Sequence, residues 1–196
     1  MTESALRERI LDATAGITVG GGWAAVSMGK VASVVGVSRQ TVHTEVGTKA
    51  ELAEALVIRE VEHFLAEVVA GFDEAPDVPT AIERSITRVL ERAADSARVR
   101  GVVAAAHGAD TELLPLLTTR PQHLLELATA TVRGLVAPFA LPLPQVRIDA
   151  TIEVIVRVTL SRVMHPTGSP ADVAEHLAWM VQTVLDALPR SGRARA

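Results

Sequence analysis

The sequence predicts an all-α protein, and three observations support this prediction. Apolar residues recur at helical spacing along most of the chain, glycines and prolines divide it into segments of helix length, and no stretch has a convincing strand pattern. We expect about nine helices, with a three-helix domain over residues 1–47 and a second helical domain over residues 48–196. Residues 48–72 should form the connecting helix. A chain of 196 residues is long enough to bury a substantial core.

The composition restricts the class of protein and the kinds of site. Hydrophobic residues make up 48% of the chain but aromatic residues only 3%, so the core must be mainly aliphatic. The absence of cysteine excludes disulfides and thiolate metal sites and fits a reducing compartment. Because no long apolar stretch or signal peptide is apparent, we expect a cytoplasmic protein without a membrane partner. The net charge of −4 means that any nucleic-acid binding must be local.

The first three helices have recognisable ends. In "LRERILDATAGI" the apolar residues form one stripe, and the glycines at positions 20–22 end that helix. Ser27 can cap a second helix, "MGKVASVV", which stops at Gly36. Ser38 can cap a third helix, from Arg39 to about Glu45.

The later helices are predicted from similar signals. Residues 48–51 form a capping box that begins a long fourth helix. The buried face of this helix is expected to contain Val61, Phe64, Leu65, Val68 and Phe72. Further helices are predicted over residues 80–96, 99–107 and 145–164, with the middle of the 145–164 helix buried on more than one side. A capping box at residues 119–122 should begin another helix, which runs to about residue 137. The last helix should begin at Ser169-Pro170 and bury a stripe made of Val173, Leu177, Met180, Val181, Val184 and Leu188.

Residues 27–45 match a helix-turn-helix, since two short helices flank a tight turn around Gly36. The elements "RILDA", Trp23, "VSM", "VA", "GVS", "TV" and "TKAEL" follow one another over residues 7–52, and in this order they resemble the TetR family of bacterial transcriptional repressors. The resemblance implies a repressor that binds double-stranded DNA at a palindromic operator. It also implies a homodimer formed through the last two helices and a small-molecule effector bound in a cavity between the fourth and eighth helices.

The third helix supplies most of the expected DNA contacts. Arg39 suits a guanine edge and Gln40 an adenine edge, while the amino end of the helix favours a phosphate. By resemblance, Lys49 contacts the phosphate backbone. The full set of predicted DNA-binding residues is Ser27, Ser38, Arg39, Gln40, Thr41, His43, Thr44 and Lys49. The alternative for the exposed members is an ordinary solvated helix face.

Several residues depart from the family pattern. His43-Thr44 replaces a usual tyrosine pair, and an imidazole binds phosphate well only when it is protonated. Gly29 occupies a position where relatives often have arginine. Glu45 would repel phosphate unless it accepts a hydrogen bond from a cytosine amino group or points into the protein. These departures keep open a second hypothesis, a helical ligand-binding or scaffold protein that has lost DNA binding.

The effector is expected to be mostly apolar, because the chain has no tyrosine and few other aromatic residues to stack on a planar ligand. The residues predicted to contact it are Leu90, Val103, His107, Leu113, Leu117, Arg120, His123 and Leu124. The alternative is that they are simply packed core. We expect no cofactor, no metal site and no enzyme, since His107, Asp110 and Glu112 lack a recognised ligand spacing and the serines lack a nucleophile context.

Overall fold

The computed structural model describes residues 3–96, residue 99 and residues 122–187. These residues form eight α-helices and no strand, which confirms the all-α prediction. The helices are α1 (Glu3–Gly21), α2 (Met28–Val35), α3 (Arg39–Val46), α4 (Lys49–Phe72), α5 (Val78–Asp95), α6 (Gln122–Val136), α7 (Gln145–Met164) and α8 (Pro170–Asp186). Short 3-10 turns occupy Trp23–Ala25 and Ala137–Phe139. Of the helix predicted over residues 99–107, all but Val99 lies outside the described residues.

The chain divides into two compact units. The first contains residues 1–63 and 93–124, and the second contains residues 64–92 and 125–196, so α4 contributes to both. The functional division predicted after residue 47 is a different kind of boundary and stays a prediction. Within the described ranges, no helix has the length and apolar character needed to cross a membrane.

The core of the first unit joins α1, α2, α3 and the start of α4. Its fully buried large side chains include Ile10, Trp23, Val31, Val42, Leu52 and Leu56. The predicted buried face of α4 was largely wrong: Phe72 is buried, but Val61, Phe64, Leu65 and Val68 are only half-buried. The apolar residues of α4 that are most buried lie between positions 52 and 57, because this part of the helix packs into the core that α1–α3 provide.

Local hydrogen bonds fix the helix ends at the predicted places. The Lys30 amide donates to Ser27 Oγ at 3.2 Å, and the Thr41 amide donates to Ser38 Oγ at 3.0 Å. The capping box at the start of α4 contains both of its reciprocal hydrogen bonds. The Thr48 amide donates to Glu51 Oε2 at 2.6 Å, and the Glu51 amide donates to Thr48 Oγ1 at 3.3 Å. Each bond pairs one of the amides that a helix start leaves without a partner.

In the second unit, polar contacts join α4 to α5. Ser85 is buried and donates to the Val68 carbonyl at 3.0 Å, and it lies so close to Gly71 that a side chain there would collide with it. Arg88 and Arg92 both reach Glu67 on α4, at 2.8 and 3.4 Å.

The last two helices bury less of their apolar surface than the sequence suggested. Helix α7 has the predicted bounds, but Val154 in its middle is 51% exposed, so the expectation of burial on several sides is wrong for this chain alone. On α8, Leu177 and Val181 are buried as predicted, whereas Met180 and Val184 are exposed. The buried neighbours are instead the small residues Ala174 and Ala178, because α8 turns this narrower stripe inward.

Candidate nucleic-acid interface

The turn between α2 and α3 brings the two helices together closely. Gly36 ends α2 in the left-handed conformation, with φ 78° and ψ 36°, which glycine adopts without strain. The Gly36 and Val37 amides both donate to the Ala32 carbonyl, at 2.9 and 3.0 Å. Val31 and Val42 are fully buried beside this turn. The apolar sides of both helices are thus fixed inward, and the polar side of α3 is left outside.

The outer side of α3 carries the DNA-binding residues predicted within this helix. Arg39, Gln40, His43 and Thr44 are exposed, and Thr41 is half-buried. Three hydroxyl groups of α3 and its cap already have partners within the protein. The Ser38 and Thr41 hydroxyls lie 2.8 Å apart, and Thr44 Oγ1 donates to the Gln40 carbonyl at 3.0 Å. Arg39 and Gln40 are therefore the long side chains best placed to reach outward from the amino end of α3.

Lys49 begins α4 and lies against Trp23. Its Nζ is 5.2 Å from the centroid of the indole ring, within the range of a cation–π interaction. Trp23 itself is fully buried, so the ring is a fixed surface for the lysine side chain. Ser27, the other predicted phosphate contact outside α3, is exposed at the start of α2.

The residues that depart from the family pattern have identifiable surroundings. Gly29 is exposed on α2, and a Cβ built there meets nothing within 4 Å. Glu45 is half-buried, and its backbone carbonyl accepts a hydrogen bond from Arg7. Hydrogen bonds from Thr48 lower the pKa of the Glu51 carboxyl, and the electrostatic effect of His43 lowers it further. His43 thus has an acidic neighbour within the protein.

Two arginines of α1 support the helix-turn-helix from behind. Arg9 Nη2 donates to the Val35 carbonyl at 2.6 Å, and Arg7 Nη1 donates to the Glu45 carbonyl at 3.1 Å. These carbonyls belong to the last turns of α2 and α3, where helices leave acceptors without partners. Sequence reasoning missed both contacts, because they join residues 26 and 38 positions apart and leave no local pattern.

Most of the predicted effector-contacting residues lie outside the described chain. Val103, His107, Leu113, Leu117 and Arg120 are not described, nor is the side chain of His123. Leu90 is buried in the second unit, and Leu124 packs partly buried against the core of the first. The residues considered as metal ligands, His107, Asp110 and Glu112, are also outside. The described residues contain no group of three or more acidic or histidine side chains that could hold a metal.

An apolar cavity of about 30 Å³ lies within the second unit, between α5, α7, α8 and the turn after α6. Its walls include Val78, Ile82, Ile152 and Val181, and none of the predicted effector-contacting residues lines it.

The family profile described as "Bacterial Tetracyclin repressor, C-terminal domain" matches residues 77–183, which is more than half of the chain. The chain belongs to the TetR family. It is therefore a transcriptional regulator with a helix-turn-helix, as the N-terminal motif predicted. The family match covers the helices after α4, whereas the sequence resemblance covered residues 7–52, so the two observations are independent.

Individual relatives agree with this assignment. The HTH-type transcriptional regulator AlkX of Mycobacterium tuberculosis is 28% identical over 177 residues, which cover 90% of this chain and 83% of that protein. A second relative is the TetR family repressor AlkX from Dietzia sp. strain DQ12-45-1b, which is implicated in biodegradation of n-alkanes. Its crystal structure aligns with a TM-score of 0.73 at 23% identity, and the alignment covers 93% of this chain and 96% of that chain. FadR from Bacillus subtilis in complex with stearoyl-CoA has a TM-score of 0.60 at 13% identity, covering 89% and 96%.

Proposed function

We propose that this TetR-family regulator is a repressor that binds a palindromic operator as a homodimer and is released by a small, mostly apolar effector. The observation that carries the proposal is the exposed outer side of α3, where Arg39 and Gln40 extend from a helix whose start is capped by Ser38. A helix of this kind enters the major groove with its amino-terminal side chains toward the base edges.

The proposed DNA contacts fall into two groups. Arg39 and Gln40 contact bases, because a guanidinium pairs with guanine and an amide with adenine through two hydrogen bonds. Ser27, Ser38, Thr41, His43, Thr44 and Lys49 contact phosphates or sugars and fix the position of α3 in the groove. The stacking of Lys49 on Trp23 supports its place in the second group, since the ring limits where the ammonium can lie.

The proposed dimer forms through α7 and α8. Among the described residues, five of the eight large apolar side chains that are most exposed belong to these two helices: Val146, Val154, Trp179, Met180 and Val184. Trp179 is 65% exposed, which is costly for a side chain of its size in water. Exposed apolar residues concentrated in this way mark an interface rather than ordinary surface.

The proposed effector carries a long hydrocarbon chain. Two structural relatives suggest this class: the Dietzia AlkX repressor is implicated in n-alkane biodegradation, and B. subtilis FadR was crystallised with stearoyl-CoA. The composition also supports a hydrocarbon effector. With 48% hydrophobic but only 3% aromatic residues, the protein can line a binding site with aliphatic side chains but has few rings to stack on a planar ligand. The predicted effector residues from Leu90 to Leu124 remain part of this proposal.

DNA binding is tested with a gel shift on the DNA upstream of the protein's own gene. We expect binding whose affinity falls steeply as salt rises, because phosphate contacts release counterions. If no palindromic site is bound at low salt and without ligand, the repressor proposal is wrong. That result would favour the second hypothesis, a helical ligand-binding protein without DNA binding, for which Gly29, His43 and Glu45 are the motivating residues.

The effector is tested by native mass spectrometry of the purified protein and by adding stearoyl-CoA, stearate or n-hexadecane to the protein–DNA complex. We expect a bound species that contains an alkyl chain, and release of DNA by at least one of the three compounds. Coenzyme A without the acyl chain is the control and should leave the complex intact. Release by coenzyme A alone would contradict an effector recognised through its hydrocarbon chain.

A further inference from the structure

Three consecutive residues of α1 contact three different helices. Arg7 donates to the last turn of α3, Arg9 donates to the last residue of α2, and Glu8 forms an ion pair with Arg59 of α4 at 3.5 Å. Asp12, one turn further along α1, pairs with the same Arg59 nitrogen at 3.1 Å. The position of α1 on α4 therefore affects both helices of the helix-turn-helix.

Arg59 is an unusual residue for this role because it is buried. Its side chain is 6% exposed, whereas Glu8 and Asp12 are each 57% exposed. A buried guanidinium is costly unless its hydrogen bonds are made. Only Nη1 makes them: among the described residues, Arg59 Nε and Nη2 have no hydrogen-bond partner.

Glu60 provides a competing carboxylate beside Arg59. Its side chain is 7% exposed, and its Oε1 lies 3.9 Å from Arg59 Nη2, too far for a hydrogen bond. Oε1 likewise has no hydrogen-bond partner within the described ranges. The other oxygen, Oε2, lies 3.7 Å from Nδ1 of His63. A buried donor and a buried acceptor therefore face each other across a gap, while the same arginine bonds to α1.

We propose that Arg59 is a positioning residue for DNA binding. It holds α1 through Glu8 and Asp12, so that Arg7 and Arg9 keep α2 and α3 in the orientation that binds DNA, and Glu60 competes for it. When Arg59 moves toward Glu60, the hold on α1 is lost. This inference rests on the proposed DNA binding and adds a control of affinity by residues that do not touch DNA.

The two partners of Arg59 should have opposite effects on DNA affinity in the full-length protein. With DNA from upstream of its own gene as the probe, E8Q/D12N should weaken binding about tenfold, within the usual range of coupling between sites. E60Q should strengthen binding about threefold, since Arg59 loses the competing charge. The slope of affinity against salt should stay unchanged in both variants, because no phosphate contact is removed. Effects in the same direction, or a changed slope, would overturn the proposal.

A double-mutant cycle shows whether Arg59 mediates the effect of Glu60. In the Arg59→Met background, E60Q should no longer change DNA affinity. His63→Gln is the control for the second partner of Glu60 and should leave affinity as in the wild type. An effect of E60Q that persists in the Arg59→Met background contradicts the competition.

A measurement without DNA separates this inference from the proposed function. In hydrogen exchange of the free protein, E8Q/D12N should raise the exchange of α2 and α3 amides, while the melting temperature confirms that the variant is folded. Glu67→Gln is the matched control, because it also removes a carboxylate that pairs with arginine, but in the second unit. Unchanged exchange in α2 and α3 would refute the positioning role even if the protein binds DNA. If the wild type binds no DNA, the proposed function fails and this readout still decides the inference.

Discussion

The N-terminal helices α1–α3 and the C-terminal helices α7–α8 differ in how completely they bury their apolar side chains. In α2, four of the eight residues are buried and Val34 is the only large apolar side chain strongly exposed. In α8, Trp179, Met180 and Val184 are all exposed at 44% or more. The first region thus has a closed core and a polar outer face, whereas the second leaves an apolar face open. A single chain thus completes the core of the helix-turn-helix, whereas the apolar face of α7 and α8 stays uncovered, as the proposed dimer requires.

The largest expected effect is on the open apolar face. Trp179→Glu should convert the protein to a monomer and reduce operator affinity by about a hundredfold or more, because a charge would be buried at the interface and the second half-site would be lost. Sedimentation and a gel shift measure the two effects. Val19→Glu replaces an equally apolar exposed residue of α1 and should leave the oligomeric state unchanged. A dimeric Trp179→Glu variant would show that α8 is ordinary surface.

On the polar face, opposite changes in charge should have opposite effects on DNA binding. Arg39→Ala should weaken binding about tenfold, within the 1–3 kcal/mol expected for a base-contacting arginine. Gly29→Arg should strengthen DNA binding, since the space beside Gly29 is open and an arginine there can reach a phosphate. The slope of log affinity against log salt concentration should become steeper by about one, as expected for one added phosphate contact. Gly29→Ala controls for helix stability alone. If Gly29→Arg binds no better than Gly29→Ala, α2 does not approach the phosphates at this position.

In the first region, substitution of a glycine with an unusual backbone conformation should destabilise the protein more than substitution of an exposed helical glycine. Gly47 joins α3 to α4 with φ 76°, and an added side chain would meet the Glu51 carboxylate. Gly47→Ala should therefore destabilise the protein by about 1–3 kcal/mol, the usual cost of a strained backbone position. Gly29→Ala should instead stabilise it by up to about 1 kcal/mol, because alanine favours a helix. Chemical denaturation measures both, and equal changes would mean that Gly47 is not strained.

A smaller effect is expected from His43. An imidazole binds phosphate well only when it is protonated, and histidine side chains ordinarily change charge near neutral pH. If the contact forms, DNA affinity should fall severalfold as pH rises from about 6.5 to 8. His43→Tyr should flatten the pH profile, and His165→Tyr, which changes an exposed histidine after α7, should not. The same profile in wild type and His43→Tyr would exclude the phosphate contact.

The smallest expected effect concerns the two capping carboxylates, one in each unit. Hydrogen bonds from Thr48 lower the pKa of Glu51, and those from Thr80 lower the pKa of Asp77. A carboxylate whose pKa is lower in the folded than in the unfolded protein stabilises the fold at pH values above its unfolded-state pKa. This stabilisation is lost as pH falls through its folded-state pKa. Unfolding below about pH 4.5 should thus be less pH-dependent in Glu51→Gln and Asp77→Asn than in the wild type. Glu54→Gln, exposed and outside both caps, is the control.

Contacts between residues close in sequence could be predicted from the sequence. The hydroxyls of Ser27 and Ser38 and the capping box at residues 48–51 all bond to amides three residues away, so the residue types and their spacing were sufficient. The bounds of α7 followed from its helical period and the prolines before it. The side of α3 that would face outward was also predictable, because Val42 and Val46 are its only large apolar residues.

Contacts between distant residues could not be predicted. Arg59 was assigned to the connecting helix without a role, yet it is buried and bonds to Asp12, 47 positions away. The expected buried stripe of α4, made of Val61, Phe64, Leu65 and Val68, is only half-buried, because the part of α4 that packs into the core is residues 52–57. Helical spacing shows which residues share a face, but it does not show whether another helix covers that face.

The sequence by itself determined the all-α class, the caps, the helix-turn-helix and the exposed polar side of α3, because each depends on interactions within a few residues. Only the tertiary structure decided that Arg7 and Arg9 support α2 and α3, that Arg59 lies between the carboxylates of α1 and Glu60, and that Trp179 stays outside. These features depend on which helices meet and at what distance. A buried charge and an exposed tryptophan acquire their energetic cost only when the chain is folded, and both mark the places where the function is proposed to be controlled.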